Sequence, residues 1–111
     1  MVEYNPELDS IFSSLSDPTR RDIFLKLSEG ARTVSDIASE YKMSLAGISK
    51  HLKVLQKAKL ITKRRDGRQQ IVESQPISLV GVDEFLRDYR RLWDDRLDRL
   101  EELLIKEQRN E

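Results

Sequence analysis

Apolar positions recur every three or four residues through most of the chain, and the rhythm breaks at short polar clusters that hold capping residues. Leu8, Ile11, Phe12 and Leu15 keep that spacing and predict a short first helix. Asp17 before Pro18 reads as an N-cap followed by proline at the first helical position. Ile23, Phe24, Leu25 and Leu27 then run to Gly30, which predicts a second helix over about 18–29 with the glycine as its stop. Thr33 or Ser35 can cap a third helix through Asp36, Ile37, Ala38 and Tyr41. Ser44 caps a fourth, in which Leu45, Ile48, Leu52 and Leu55 form one apolar stripe. Only about three residues separate these last two helices, the connection of a helix-turn-helix.

From Leu60 the period changes from 3.6 to 2. Leu60 to Arg65 reads as a strand, Asp66-Gly67 as a type I′ hairpin signal, and Gln69 to Glu73 as the returning strand, ended by Pro76. Two strands do not stand alone, so this hairpin must lean on the helices. The remainder predicts one long helix over about 77–107. Phe85, Leu86, Tyr89, Leu92, Trp93, Leu97, Leu100, Leu103 and Leu104 fall at helical spacing, and the pairs Leu86/Leu97, Tyr89/Leu100 and Trp93/Leu104 repeat every eleven residues, close to a straight stripe. A helix of about 25 residues is roughly 38 Å long, more than a small helical core can cover. The expected class is mainly α with a small β-hairpin (α+β), a winged helix-turn-helix. It forms a single domain over 1–111, with the helix-turn-helix at about 33–58 and the wing at about 60–74.

Charge sharpens this picture. Lys+Arg and Asp+Glu are 20 each, yet residues 42–72 hold nine cations against Asp66 alone, a net of +8, while the segments on either side are each net −4. A solvated lysine-rich face would usually carry interspersed acids; their absence points to an anionic partner, nucleic acid first. The face of the fourth helix opposite its apolar stripe is Ala46, Ser49, Lys50, Lys53 and Lys57, and Arg64, Arg65 and Arg68 bracket the hairpin tip. In a winged helix such a helix enters the major groove and such a hairpin reaches backbone or minor groove. The chain has 111 residues, no Cys and one His. That excludes a disulfide framework and thiolate metal sites, and with no Gly-rich phosphate loop or paired-acid motif it gives no enzyme. No apolar run approaches a spanning helix and the first residues are acidic, so a cytoplasmic chain without membrane or cofactor is expected.

The residues also resemble a known family. Leu15-Ser16-Asp17-Pro18-Thr19-Arg20-Arg21-Asp22-Ile23, then Ile48-Ser49-Lys50-His51-Leu52-Lys53-Val54-Leu55, then Leu60-Ile61 and Arg65-Asp66-Gly67-Arg68 are similar to the ArsR family of bacterial and archaeal transcriptional repressors over about residues 8–75. The stretch from Tyr89 to Glu101 resembles a branch without metal cysteines. The resemblance implies a homodimeric winged-helix repressor whose first and last helices form the dimer interface. Thr33 and Ser35 stand where metal-sensing members carry cysteines, and hydroxyls are poor ligands for soft metals. Many members also have Gln-Ser where this chain has Leu45-Ala46, which favours thymine-methyl contact over bidentate adenine readout at that turn.

Together these readings predict double-stranded DNA and a second copy of the chain as partners, with no metal site. Lys50 and Ser49 are expected at base edges, with Ala46 and Gly47 allowing close approach. Lys42, Lys53, Lys57, Arg64, Arg65 and Arg68 are expected at phosphates or, at the wing, in the minor groove. Ser44 can cap its helix and also donate to a phosphate. His51 lies beside the buried stripe and reads either as packing, with one ring nitrogen satisfied, or as a phosphate or base contact. The expected dimer interface is Ile11, Phe12, Leu15, Leu86, Tyr89, Trp93, Leu97, Leu100 and Leu104, with Tyr89 and Trp93 as interface core and not a ligand cage. The competing class is a winged-helix module docking an acidic protein; the small, polar Ala46-Gly47-Ser49 surface suits a groove better. Nothing in the chain marks an effector pocket.

Overall fold

The computed structural model describes residues 4–109, and the chain divides after Leu79 into two compact units. Residues 1–3 and 110–111, the ends of the expected 1–111 domain, lie outside the described residues. The first unit carries four helices, each opened by a side-chain oxygen. α1 (Pro6–Leu15) starts on Asn5, whose side-chain carbonyl accepts from the Leu8 amide at 3.1 Å. α2 (Pro18–Leu27) starts on Asp17, which accepts from the Arg20 amide at 3.0 Å. α3 (Val34–Tyr41) starts on Thr33, accepting from Asp36 at 3.1 Å, and α4 (Leu45–Lys57) on Ser44, accepting from Gly47 at 3.0 Å. Each such cap stabilises its helix by about 1 kcal/mol.

The helix ends differ from expectation. Gly30 does not stop α2 in a left-handed turn: the helix closes at Ser28 with right-handed geometry, and the Glu29 and Gly30 amides donate to Lys26 and Leu27 in tightened three-residue bonds. The left-handed residues are instead Lys42 (φ 54°) after α3 and Lys59 (φ 62°) after α4. Both closures follow one plan. Lys59 N–H donates to Gln56 O at 2.9 Å and Leu60 N–H to Leu55 O at 3.0 Å, while Lys42 donates to Ser39 and Met43 to Ala38. These are Schellman turns with lysine at the position that favours glycine.

The sheet has three antiparallel strands where two were expected. β1 (Arg32–Thr33), β2 (Ile61–Asp66) and β3 (Gln69–Ser74) lie in the order β1-β3-β2. Arg32 pairs with Val72 and Thr33 with Ile71, so the segment that leads into α3 holds the second edge of the wing's return strand. The wing register runs from Ile61↔Ser74 to Asp66↔Gln69, leaving Gly67 and Arg68 as the central turn residues. Only Gly67 of the two has a positive φ (63°), the signature of a type II′ turn and not the expected type I′ with Asp66 at its centre.

Ile11, Ile23, Leu27, Ile37, Ala38, Ile48, Leu52, Leu55, Leu60, Ile61 and Val72 form the core of this unit. Leu45, expected in the apolar stripe of α4, is 58% exposed: as the first residue of the helix it precedes the turn that meets the core. The expected start of the last helix at residue 77 is also corrected. Pro76–Leu79 is a separate 3-10 turn, in which the Ser78 hydroxyl donates to the Lys59 carbonyl. The second unit is a single helix, α5 (Val80–Gln108), of 29 residues. It has no buried residue, and Tyr89, Leu92, Trp93, Leu97, Leu100 and Leu104 are each about half exposed.

Candidate nucleic-acid interface

The surface begins at the start of α4. The Ser44 hydroxyl is engaged by Gly47 N–H, and a Cβ on Gly47 would stand 3.2 Å from that hydroxyl oxygen and 3.4 Å from the Met43 methyl carbon. Glycine there therefore has a local cause, room beneath the cap, besides leaving the surface low. Ala46, Lys50, Lys53 and Lys57 are exposed along the helix and Ser49 is half-buried, while Ile48, Leu52 and Leu55 seal the other face. Lys42 is exposed just before the helix.

The wing closes on this helix from one side. Thr33, Val34, Ser35, Leu45, Ser49, Arg65, Arg68, Gln69 and Gln70 line one open cleft of about 310 Å³. Arg65, at the far end of β2, and Arg68, at the turn, thus share a concave surface with Ser49 of α4 and with the capped start of α3. Lys63 was not singled out from the sequence. It is half-buried, and both burial and the neighbouring Lys53 ammonium hold its pKa below the usual lysine range. Two cations kept near one another across helix and wing raise the local positive potential. Arg64 stands apart from this set: its Nε donates to Glu73 Oε1 at 2.8 Å across the hairpin. Part of its charge is already answered within the wing.

His51 sits at a junction. Its Nδ1 is 3.5 Å from an Arg20 guanidinium nitrogen and 4.0 Å from the Asp17 carboxylate, and its side chain is only 19% exposed. Arg20 in turn donates through Nε to the Ser14 carbonyl at 2.7 Å and reaches the Ser13 carbonyl at 3.4 Å, while Arg21 donates to the Leu15 and Ser16 carbonyls at 2.8 and 3.1 Å. The paired arginines after Asp17-Pro18 therefore fold back onto the open carbonyl end of α1, where cations are favoured. Asp17 is held below the usual carboxylate range, chiefly by the Arg20 amide it caps.

A second polar cluster ties α2 to α3. Lys26 Nζ lies 2.6 Å from Glu40 and 3.4 Å from Asp22, above the Tyr41 ring, and Arg32 donates to Glu40 at 2.5 Å. The Tyr41 hydroxyl donates to Asp22. That hydrogen bond keeps the Asp22 carboxyl below its ordinary range, while burial, and then Asp22, push the Tyr41 phenol up to about 12. Thr33 commits its hydroxyl to capping α3.

The residues expected at a dimer interface divide into two groups. Ile11 is buried in the core of its own unit; Phe12, 43% exposed, and half-buried Leu15 lie on α1 beside it. Leu86, Tyr89, Trp93, Leu97, Leu100 and Leu104 are all exposed on α5.

Known proteins agree with this architecture. A model of the helix-turn-helix domain matches residues 15–64. The chain is 39% identical over 61 residues to the transcriptional repressor SdpR of Bacillus subtilis, covering 55% of this chain and 68% of that protein. It is 30% identical over 99 residues to the HTH-type transcriptional regulator Rv2034 of Mycobacterium tuberculosis, covering 89% of this chain and 90% of the relative. The crystal structure of the ArsR family transcriptional regulator RHA00566 superposes with a TM-score of 0.75 at 32% identity, over 85% of this chain and 97% of that one. With matching motifs, a shared fold and near full-length similarity, the chain belongs to the ArsR family of winged helix-turn-helix transcriptional regulators.

Proposed function

We propose that the protein is a cytoplasmic, homodimeric repressor that binds a two-fold symmetric operator in double-stranded DNA. The observation that carries this reading is the cleft shared by Ser49 on α4 and Arg65 and Arg68 on the wing. A helix and a basic hairpin that face one concave surface can straddle a phosphate backbone, one in the groove and one beside it. Lys50 and Ser49 read base edges. Lys42, Lys53, Lys57, Arg65 and Arg68 meet phosphates, Ser44 adds the N-terminus of α4 to the backbone contacts, and Ala46 and Gly47 keep the approach close. Arg64 contributes less than its neighbours because Glu73 already pairs with it. A second copy covers the exposed stripe of α5 and the Phe12 patch of α1. Fully burying a leucine contributes roughly 1.5–3 kcal/mol, so the symmetric burial of Leu86, Leu97, Leu100 and Leu104 with Tyr89 and Trp93 can exceed the cost of association.

The test is a pair of titrations on an operator selected from random duplexes and on random DNA. Lys50→Ala should lose about 1–3 kcal/mol on operator and little on random DNA, as expected for a base contact. Arg65→Ala and Arg68→Ala should weaken both alike, and each should lower the slope of log K against log salt by about 0.9 for every phosphate left without its cation. Equal weakening on both DNAs for Lys50→Ala would reassign Lys50 to the backbone.

A further inference from the structure

We propose that His51 and Arg20 are positioning residues: a joint through which the carbonyl end of α1 sets the seat of α4, and with it the placement of Lys50 and Ser49. The inference rests on α4 being the groove helix. Its geometry is independent of that assignment. Arg20 touches both ends of the joint, with Nε on the Ser14 carbonyl at 2.7 Å and a terminal nitrogen 3.5 Å from His51 Nδ1. Arginine has only donors, so a hydrogen bond across this contact requires the imidazole nitrogen facing it to accept. Asp17, 4.0 Å from the same nitrogen, caps the Arg20 amide and so fixes the start of the helix that carries the guanidinium. His51 immediately follows Lys50, and the buried Ile48 and Leu52 on either side leave α4 little freedom to rotate without moving the ring.

The joint links the two surfaces the protein uses. Ser13 and Ser14, whose carbonyls hold Arg20, directly follow Phe12, an exposed apolar residue of α1. A partner that shifts the end of α1 therefore acts on Arg20 first and on the α4 face next. Ser14 itself is fully buried, so the end of α1 cannot slide without repacking it. Arg20 spends its guanidinium on α1 and His51, which leaves it no direct part in base reading.

The test compares His51→Leu, His51→Asn, Arg20→Lys and the double variant His51→Leu/Arg20→Lys, each in the full chain. The measured quantities are operator affinity, random-DNA affinity, the salt slope and the thermal midpoint. Asparagine retains an acceptor near the position of Nδ1; leucine does not. Lysine keeps the charge of Arg20 but cannot reach both partners with separate nitrogens. His51→Leu and Arg20→Lys should each shrink the ratio of operator to random affinity by roughly 3- to 30-fold, with the salt slope unchanged. The double variant should be no worse than the worse single one, and His51→Asn should stay within about twofold of wild type. A lowered salt slope in the His51 variants, additive losses in the double variant, or an asparagine variant as poor as leucine each overturn the proposal. Discrimination that survives in all four variants overturns it as well. If Lys50→Ala spares discrimination while these variants lose it, the assignment of Lys50 fails and the joint stands.

Discussion

Lysine in a left-handed turn is a local conflict between chain geometry and residue type, and replacing it with glycine measures that conflict. Lys59 has φ 62° and closes α4 through two backbone bonds that glycine would keep. A side chain in this conformation costs roughly 1–2 kcal/mol that glycine does not bear. Glycine in turn loses about 0.5–1 kcal/mol more chain entropy on folding. The difference leaves Lys59→Gly stabilised by about 0.5–1 kcal/mol. For a unit of this size 1 kcal/mol moves the melting midpoint by about 4–8 °C, so the gain reads as about 2–8 °C. Lys42→Gly, with φ 54°, should gain similarly in the melt. The two should part on DNA. Lys42 stands before the capped start of α4, and without it one phosphate per protomer keeps its counterion, lowering the salt slope by about 1.8 per dimer. Lys59→Gly should leave the slope where it was. The assay is a pair of thermal melts and a pair of salt titrations. Lower stability in both variants would refute the strain argument, and an unchanged slope for Lys42→Gly would remove Lys42 from the interface.

If a second copy covers α5 as proposed, Leu97→Glu should give monomer or unfolded chain, read by sedimentation at micromolar concentration; a wild type that is already monomeric there refutes the interface on α5. The Asp22–Tyr41 pair predicts sensitivity to both acid and alkali. Asp22 has its pKa depressed in the fold, so its contribution is present above its ordinary value of 3.8 and is lost as pH falls through the folded value. The phenol of Tyr41 is raised, so its contribution is present below its ordinary 10 and is lost as pH climbs towards about 12. In Tyr41→Phe the denaturation midpoint should be lower at neutral pH and should vary less at both extremes; an unchanged pH profile would show that the hydrogen bond does not act.

Much of this architecture was legible because its signals are local. Asp17-Pro18, Thr33 and Ser44 each announce a helix start within three residues of sequence, and the alternation of β2 and β3 is visible beside Gly67. β1 was not legible: two residues cannot show a period, and Arg32-Thr33 becomes a strand only because β3 offers it a free edge. The hairpin turn was displaced by one residue because Asp-Gly and Gly-Arg compete for its centre, and strand register decides between them. The exposure of Leu45 depends on where the first turn of α4 meets the core, which spacing alone does not give. The roles of Arg20 and Arg21 were hidden for a different reason. Their partners are carbonyl groups, which every residue possesses, so no residue type marks the receiving end.

The position of β3 between two neighbours separates the wing into parts with different evolutionary freedom. Its middle residues, Ile71 and Val72, are paired with both β1 and β2, so an insertion there would break two ladders and disturb the entry to α3. Its outer half, on the turn side of Ile71, pairs with β2 alone and ends at a two-residue turn. Residues added in pairs at Gly67-Arg68 would lengthen the hairpin without moving any side chain to the opposite face. The wing tip can therefore be extended or recharged while the frame that orients α4 stays unchanged.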